Sequence, residues 1–180
     1  KKKKQALFAM SALALRLRPG EEIKSNLVTF CNEKNLSAYV ATCVGSVEEV
    51  TLRLANADRH KPNEIITLRR RFEILSLVGT LCSDGAHLHM SLADSEGKCV
   101  GGHLISARVF TTAEIVLNTH PNISFRRIYD DATGFDELQV INKAEKDYEN
   151  FLFYGTTLTL IGSIAIVIAI TGGRHLGWRK

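Results

Sequence analysis

Apolar and polar residues alternate along most of this chain, a period of two that predicts strands, and the helical period surfaces in one stretch ahead of residue 140. Leu13, Leu15 and Leu17 fall on one face and predict a first strand. The same start also has the form of a secretory signal peptide, with Lys1 to Lys4, an apolar run and Ala12-Leu13-Ala14, but the alternation of the leucines favours the strand. Pro19-Gly20-Glu21-Glu22-Ile23 then opens a helix, its acidic residues placed to complement the positive end of the dipole. Ile23, Leu27, Phe30 and Cys31 give that helix one apolar side up to about Asn35. Residues 37–44 and 47–55 read as two strands parted by Gly45-Ser46, and the polar stretch 56–63 as a loop. Residues 64–68 and 72–81 are β-rich, 104–110, 111–118 and 123–129 follow as strands, and 130–135 is a turn-rich exit. Short connections between so many strands favour antiparallel pairing, and the lack of a repeat excludes a solenoid or propeller.

The candidate chemistry sits between Gly85 and His103. His87, His89 and Ser91 alternate with Leu88, Met90 and Leu92, so in a strand the two histidines share the face opposite the apolar set. Asp94-Ser95-Glu96-Gly97-Lys98 has the composition of a three-residue hairpin loop closed by a left-handed glycine. If Asp94 pairs with Lys98, the ladder sets His89 opposite His103, and three imidazoles converge. A two-residue loop would put His103 on the other face. Gly101-Gly102 ahead of it marks a bulge or a close backbone approach. Neutral imidazole is the usual nitrogen ligand of zinc and suits nickel, copper and iron, and three protein ligands with one open position is the catalytic pattern. The plain alternative is a set of strand histidines satisfied by hydrogen bonds. Asp84 and Asp94 flank the hairpin and could orient a histidine, although Asp94 suits better a turn residue bonding its own backbone.

Charge redirects this picture less than its distribution does. The 180 residues carry a net +4, yet setting aside Lys1 to Lys4 and Arg174, Arg179 and Lys180 leaves 16 basic against 19 acidic residues. An acidic folded part argues against intrinsic nucleic-acid affinity, which rests on neutralising phosphates. Arg69-Arg70-Arg71 and Arg126-Arg127 read as edge-strand residues that discourage pairing between sheets. Cys31, Cys43, Cys82 and Cys99 have neither zinc-ribbon spacing nor a short secreted framework, and are expected as buried or free thiols, Cys99 by packing. Phosphate-loop, dinucleotide and nucleophile-elbow motifs are absent from the sequence. Residues 151–173 hold no charge, enough for a helix to cross a bilayer, with Phe151, Phe153 and Tyr154 at one end and Trp178 beyond the other.

Gly85-Ala-His-Leu-His-Met-Ser-Leu-Ala-Asp94, its glycine turn and Val100-Gly-Gly-His-Leu104 closely resemble the signature of the plants and prokaryotes conserved domain, called PPC. Arg71-Phe-Glu-Ile-Leu-Ser-Leu77 is similar to the strand motif of the plant members, with Arg70 where a glycine usually stands, and residues 15–23 resemble the family's opening strand and helix start. The resemblance covers roughly residues 12–140. It implies a compact α/β (α+β) domain with a mainly antiparallel sheet packed by one main helix, a homotrimer, and a metal site at His87, His89 and His103. Plant members carry the domain after AT-hooks, and no Arg-Gly-Arg-Pro segment occurs in this sequence.

The expected organisation is therefore an N-terminal extension at 1–11, the PPC-like domain at 12–140, a linker at 141–150, a transmembrane helix at 151–173 and a basic tail at 174–180. The expected function is a membrane-tethered, trimeric domain binding a divalent metal, zinc first, with the folded part on the cytoplasmic side. A DNA-associated or transcription-partner module is the rival. A metal-dependent enzyme acting on a small substrate is the third option, and no general base is evident for it.

Overall fold

Three of the strands are longer than the sequence pattern sets them, and their length lets the sheet close on itself. The computed structural model describes residues 11–56 and 63–142. In chain order these form β1 (Ser11–Leu17), α1 (Ile23–Lys34), β2 (Ala38–Arg53), β3 (Ile65–Cys82), β4 (Gly85–Ala93), β5 (Cys99–Thr119), β6 (Ile123–Asp130) and β7 (Phe135–Asn142). Every pairing in the main sheet is antiparallel, in the order β1-β5-β2-β3-β4, and β4 pairs back onto β5. That last pairing joins β2, β3, β4 and β5 into a ring, with β1 on the edge of β5 and β6-β7 as a separate two-stranded sheet. The result is a compact domain of antiparallel strands packed by one helix.

The two strands expected on either side of Gly45-Ser46 are one strand, β2, bent rather than broken. Gly45 has φ 136°, and a Cβ there would stand 2.0 Å from the Thr112 carbonyl oxygen, so only glycine lets β2 press this closely on β5. In the same way 64–68 and 72–81 fuse into β3, and 104–110 and 111–118 into β5. Period-two patterning cannot distinguish a bulge, which keeps the ladder going, from a turn, which ends it.

Helix α1 begins later than expected. Pro19-Gly20 belongs to a turn, with Gly20 at φ 86°, and Glu22 is the N-cap, its carboxylate accepting from the Lys24 and Ser25 N–H groups. The acidic residues therefore cap the helix instead of occupying its first turn. Ile23, Leu27 and Cys31 pack from α1 against Phe72, Leu77, Leu81, Leu88, Met90, Leu92, Leu104, Ile115 and Leu117, all buried.

The expected transmembrane helix and membrane localisation are corrected here. Among the described residues no helix is long and apolar enough to cross a membrane: α1 has 12 residues, about 18 Å at ~1.5 Å each, against a ~30 Å hydrocarbon core. Residues 1–10, 57–62 and 143–180 lie outside the described residues, and with them fall the N-terminal extension but for Ser11, which opens β1, the linker but for Ile141 and Asn142, which end β7, the apolar stretch 151–173, the basic tail and His60.

Candidate metal centre

The turn between β4 and β5 fixes which side chains meet. The Asp94 N–H donates to the Lys98 carbonyl at 3.0 Å and the Gly97 N–H to the Asp94 carbonyl at 2.9 Å, with Gly97 at φ 75°. The Asp94 carboxylate accepts from the Glu96 and Lys98 N–H groups, both at 3.0 Å, and Arg70 lies 3.3 Å from it. Asp94 is thus a turn residue and no partner of a histidine. This loop sets Ala93 opposite Cys99 and His89 opposite His103. Leu88, Met90 and Leu92 enter the core, while His87 and His89 stand on the other face.

The three rings gather at centroid separations of 5.1 Å for His87 and His89, 4.9 Å for His87 and His103, and 5.4 Å for His89 and His103. One nitrogen from each lies within 4.8 Å of the others, so the three can hold a metal ion. The Nε2 atoms of His87 and His89 are 3.1 Å apart, near the roughly 3.3 Å between two nitrogens held ~2.0–2.1 Å from one tetrahedral ion. The His103 Nδ1 is buried with no hydrogen-bond partner among the described residues. A donor set of three imidazoles, one with a buried nitrogen unassigned, fits a divalent ion of borderline softness.

Two of the three rings are held toward the neutral form. Burial pushes the His103 pKa down to about 4, and Arg53, His87, Lys24 and His89 add to the effect. Burial also lowers His87, with His89, Arg127 and Arg53 acting in the same direction and Glu137 against it. Backbone contacts place both rings: a Cβ on Gly79, at φ 142°, would stand 1.9 Å from the His87 carbonyl oxygen, and one on Gly102 would stand 2.7 Å from that of Arg53. The paired glycines before His103 do mark a close approach.

His87 and His103 open onto a cleft of about 340 Å³ whose lining includes Lys24, Arg53, Asp84, Arg127, Asp136 and Glu137. Asp84 accepts from Ser83 at 3.2 Å and hydrogen-bonds none of the three histidines. The pattern of residues missed Lys24, Arg53 and Arg127, which come from three separate elements. Arg127 in particular is half-buried with its NH2 group donating to Thr80 Oγ1 at 2.6 Å, while Arg126 beside it is exposed. Arg69 and Arg70 behave as expected on a stretch of β3 that pairs on one side, bridging Glu49 and Asp94. All four cysteines are free, and Cys99 is exposed, which corrects the packing role expected for it.

The family model of the Plants and Prokaryotes Conserved domain matches residues 5–121. The chain belongs to this PPC family. It is similar to a hypothetical protein of Salmonella enterica of solved structure, 36% identical with a TM-score of 0.68, the match covering 75% of this chain and 96% of that one. A metal-containing protein of Archaeoglobus fulgidus is 25% identical with a TM-score of 0.64, over 72% of this chain and 93% of that one. The bifunctional protein GlmU of a Synechococcus strain is 44% identical over 133 residues, 73% of this chain but 21% of that protein, so the PPC domain spans about a fifth of such relatives. The AT-hook motif nuclear-localized protein 20 of Arabidopsis thaliana is 27% identical over 126 residues, 67% of this chain and 43% of that protein. A relative named for the nucleus is the second ground for withdrawing the membrane localisation.

Proposed function

We propose that this PPC domain binds one divalent metal ion through His87, His89 and His103, zinc being the leading candidate, and works as a homotrimer. The observation that carries the metal reading is the meeting of three ring nitrogens within 4.8 Å from set positions on two registered strands, at the mouth of an open cleft. The Archaeoglobus relative, described as metal-containing, supports it. Such an ion polarises an oxygen-bearing ligand placed at its open position. The chain's own part is to hold three imidazoles in place, His103 from a strand hydrogen-bonded on both sides.

Elemental analysis of the full purified chain tests this. About one divalent ion per chain is expected, falling to near none in His89→Ala and in His103→Ala, because two ligands remain. His120→Ala, in the β5-β6 turn, keeps the metal. A chain that purifies empty and takes up no zinc, nickel or iron overturns the reading.

A DNA-associated role has one specific support, the likeness to AT-hook motif nuclear-localized proteins and to a Bacteroides thetaiotaomicron structure described as a candidate DNA-binding protein. The acidic excess between residues 5 and 150 weighs against it. Retention on AT-rich duplex that falls steeply with salt would favour it over the metal reading.

A further inference from the structure

The cleft beside the histidines gathers three cations that no carboxylate among the described residues contacts as an ion pair. We infer that Lys24, Arg53 and Arg127 form an anion subsite next to the three histidines, built for a small molecule bearing a carboxylate or a phosphate. Each cation is tied one step from a histidine. Arg53 pairs with His103 across the β2-β5 ladder and lies over the Phe135 ring at 4.9 Å. Arg127 donates to Thr80, the residue paired with His87 across β3 and β4. Lys24 donates through Nζ to the carbonyl of Leu104, next to His103, at 3.3 Å.

None of the three forms an ion pair among the described residues, although Asp84, Asp136 and Glu137 line the same cleft. Half-buried cations left without a counter-charge are costly unless something pairs with them. Two buried side-chain atoms lack a hydrogen-bond partner among the described residues, His103 Nδ1 and Arg127 Nε, and both residues line this cleft. Two unassigned groups of complementary use, a metal-type nitrogen and one arm of a guanidinium fork, point to one ligand spanning both. Burial chiefly lowers the Lys24 pKa, the Glu22 carboxylate opposes the shift, and Arg53 adds to it. Beside these cations a bound dication is favoured when its remaining ligand brings negative charge. Arg supplies the planar fork that carboxylate and phosphate oxygens accept, and the cleft volume of about 340 Å³ lies in the range of small-molecule sites, roughly 300–1,000 Å³.

This subsite rests on the metal reading for the ligand's second attachment, so the two are measured separately. The full zinc-loaded chain is titrated calorimetrically with inorganic phosphate and, in a separate series, with malonate, and zinc content is read in parallel by elemental analysis. Binding of at least one probe is expected, the tighter naming the anion class, with Arg53→Met and Arg127→Met each weakening it roughly ten- to hundredfold at unchanged zinc content. Arg126→Met, on the exposed neighbour, leaves affinity as it was. Lys24→Met carries the same expectation as the arginine variants and replaces either one that fails to fold. Affinities equal to the parent in the cleft variants, or a zinc-filled chain that binds neither probe at millimolar concentration, overturn the proposal. A chain that takes no zinc yet binds a probe through Arg53 and Arg127 upholds the subsite and removes the metal reading alone.

Discussion

His103 shows how one side chain records its surroundings. Its ring is half-buried beside Arg53 and Lys24, so in the metal-free fold it accepts a proton at about 4, whereas in the unfolded chain it does so at ~6.5. Between those values the unfolded state binds more protons, and stability is lost as pH falls through that window. Denaturant melts of the metal-free chain are therefore expected to show declining stability from pH 7 to pH 4.5, with a flatter slope in His103→Gln. An unchanged slope in that variant would assign the pH dependence elsewhere. Gly79 makes a second residue-level case. With φ at 142° and the His87 carbonyl where a Cβ would go, Gly79→Ala is expected to cost about 1–3 kcal/mol and to reduce zinc content by shifting β4. A variant as stable as the parent that retains full zinc would show that β4 relaxes without moving His87.

At the scale of elements, the Glu22 cap links α1 to β5. Its carboxylate serves the first turn of α1 and also accepts from the Ala107 N–H at 2.9 Å. Glu22→Ala is expected to destabilise the fold by about 1–2 kcal/mol, seen as a lower thermal midpoint, while Glu33→Ala on the exposed side of α1 shifts it little. The β4-β5 hairpin was legible in the sequence because its turn is local: five residues from Asp94 to Lys98 fix the register and so the meeting of His89 with His103. The long strands were not, because bends at Gly45 and Gly79 depend on how near a neighbouring strand passes, which no local pattern encodes. β7 was missed for a related reason. Its Leu138 and Val140 are exposed, so no core-facing alternation announces it.

For the whole molecule, assembly is the expectation with the simplest test. The outer edge of β1 pairs with nothing among the described residues, and Leu75 and Val78 are exposed on β3, surfaces that subunit contacts would cover. Light scattering at micromolar concentration is expected to give three times the chain mass, and a monomer would remove the trimer. The cationic half of the cleft was illegible because Lys24, Arg53 and Arg127 come from α1, β2 and β6 and are brought together only by tertiary packing. The same contrast sets an order on folding. The histidines lie within one hairpin joined by a tight turn and need only a short loop to close, whereas the cations wait for β2 to find β5 and for β6 to follow it. The imidazoles can therefore meet early on the folding pathway, in a chain that has yet to gather the arginines and the lysine. Refolding followed by stopped flow should be faster with zinc present, and indifferent to malonate until the slower phase that packs α1, β2 and β6 around the cleft.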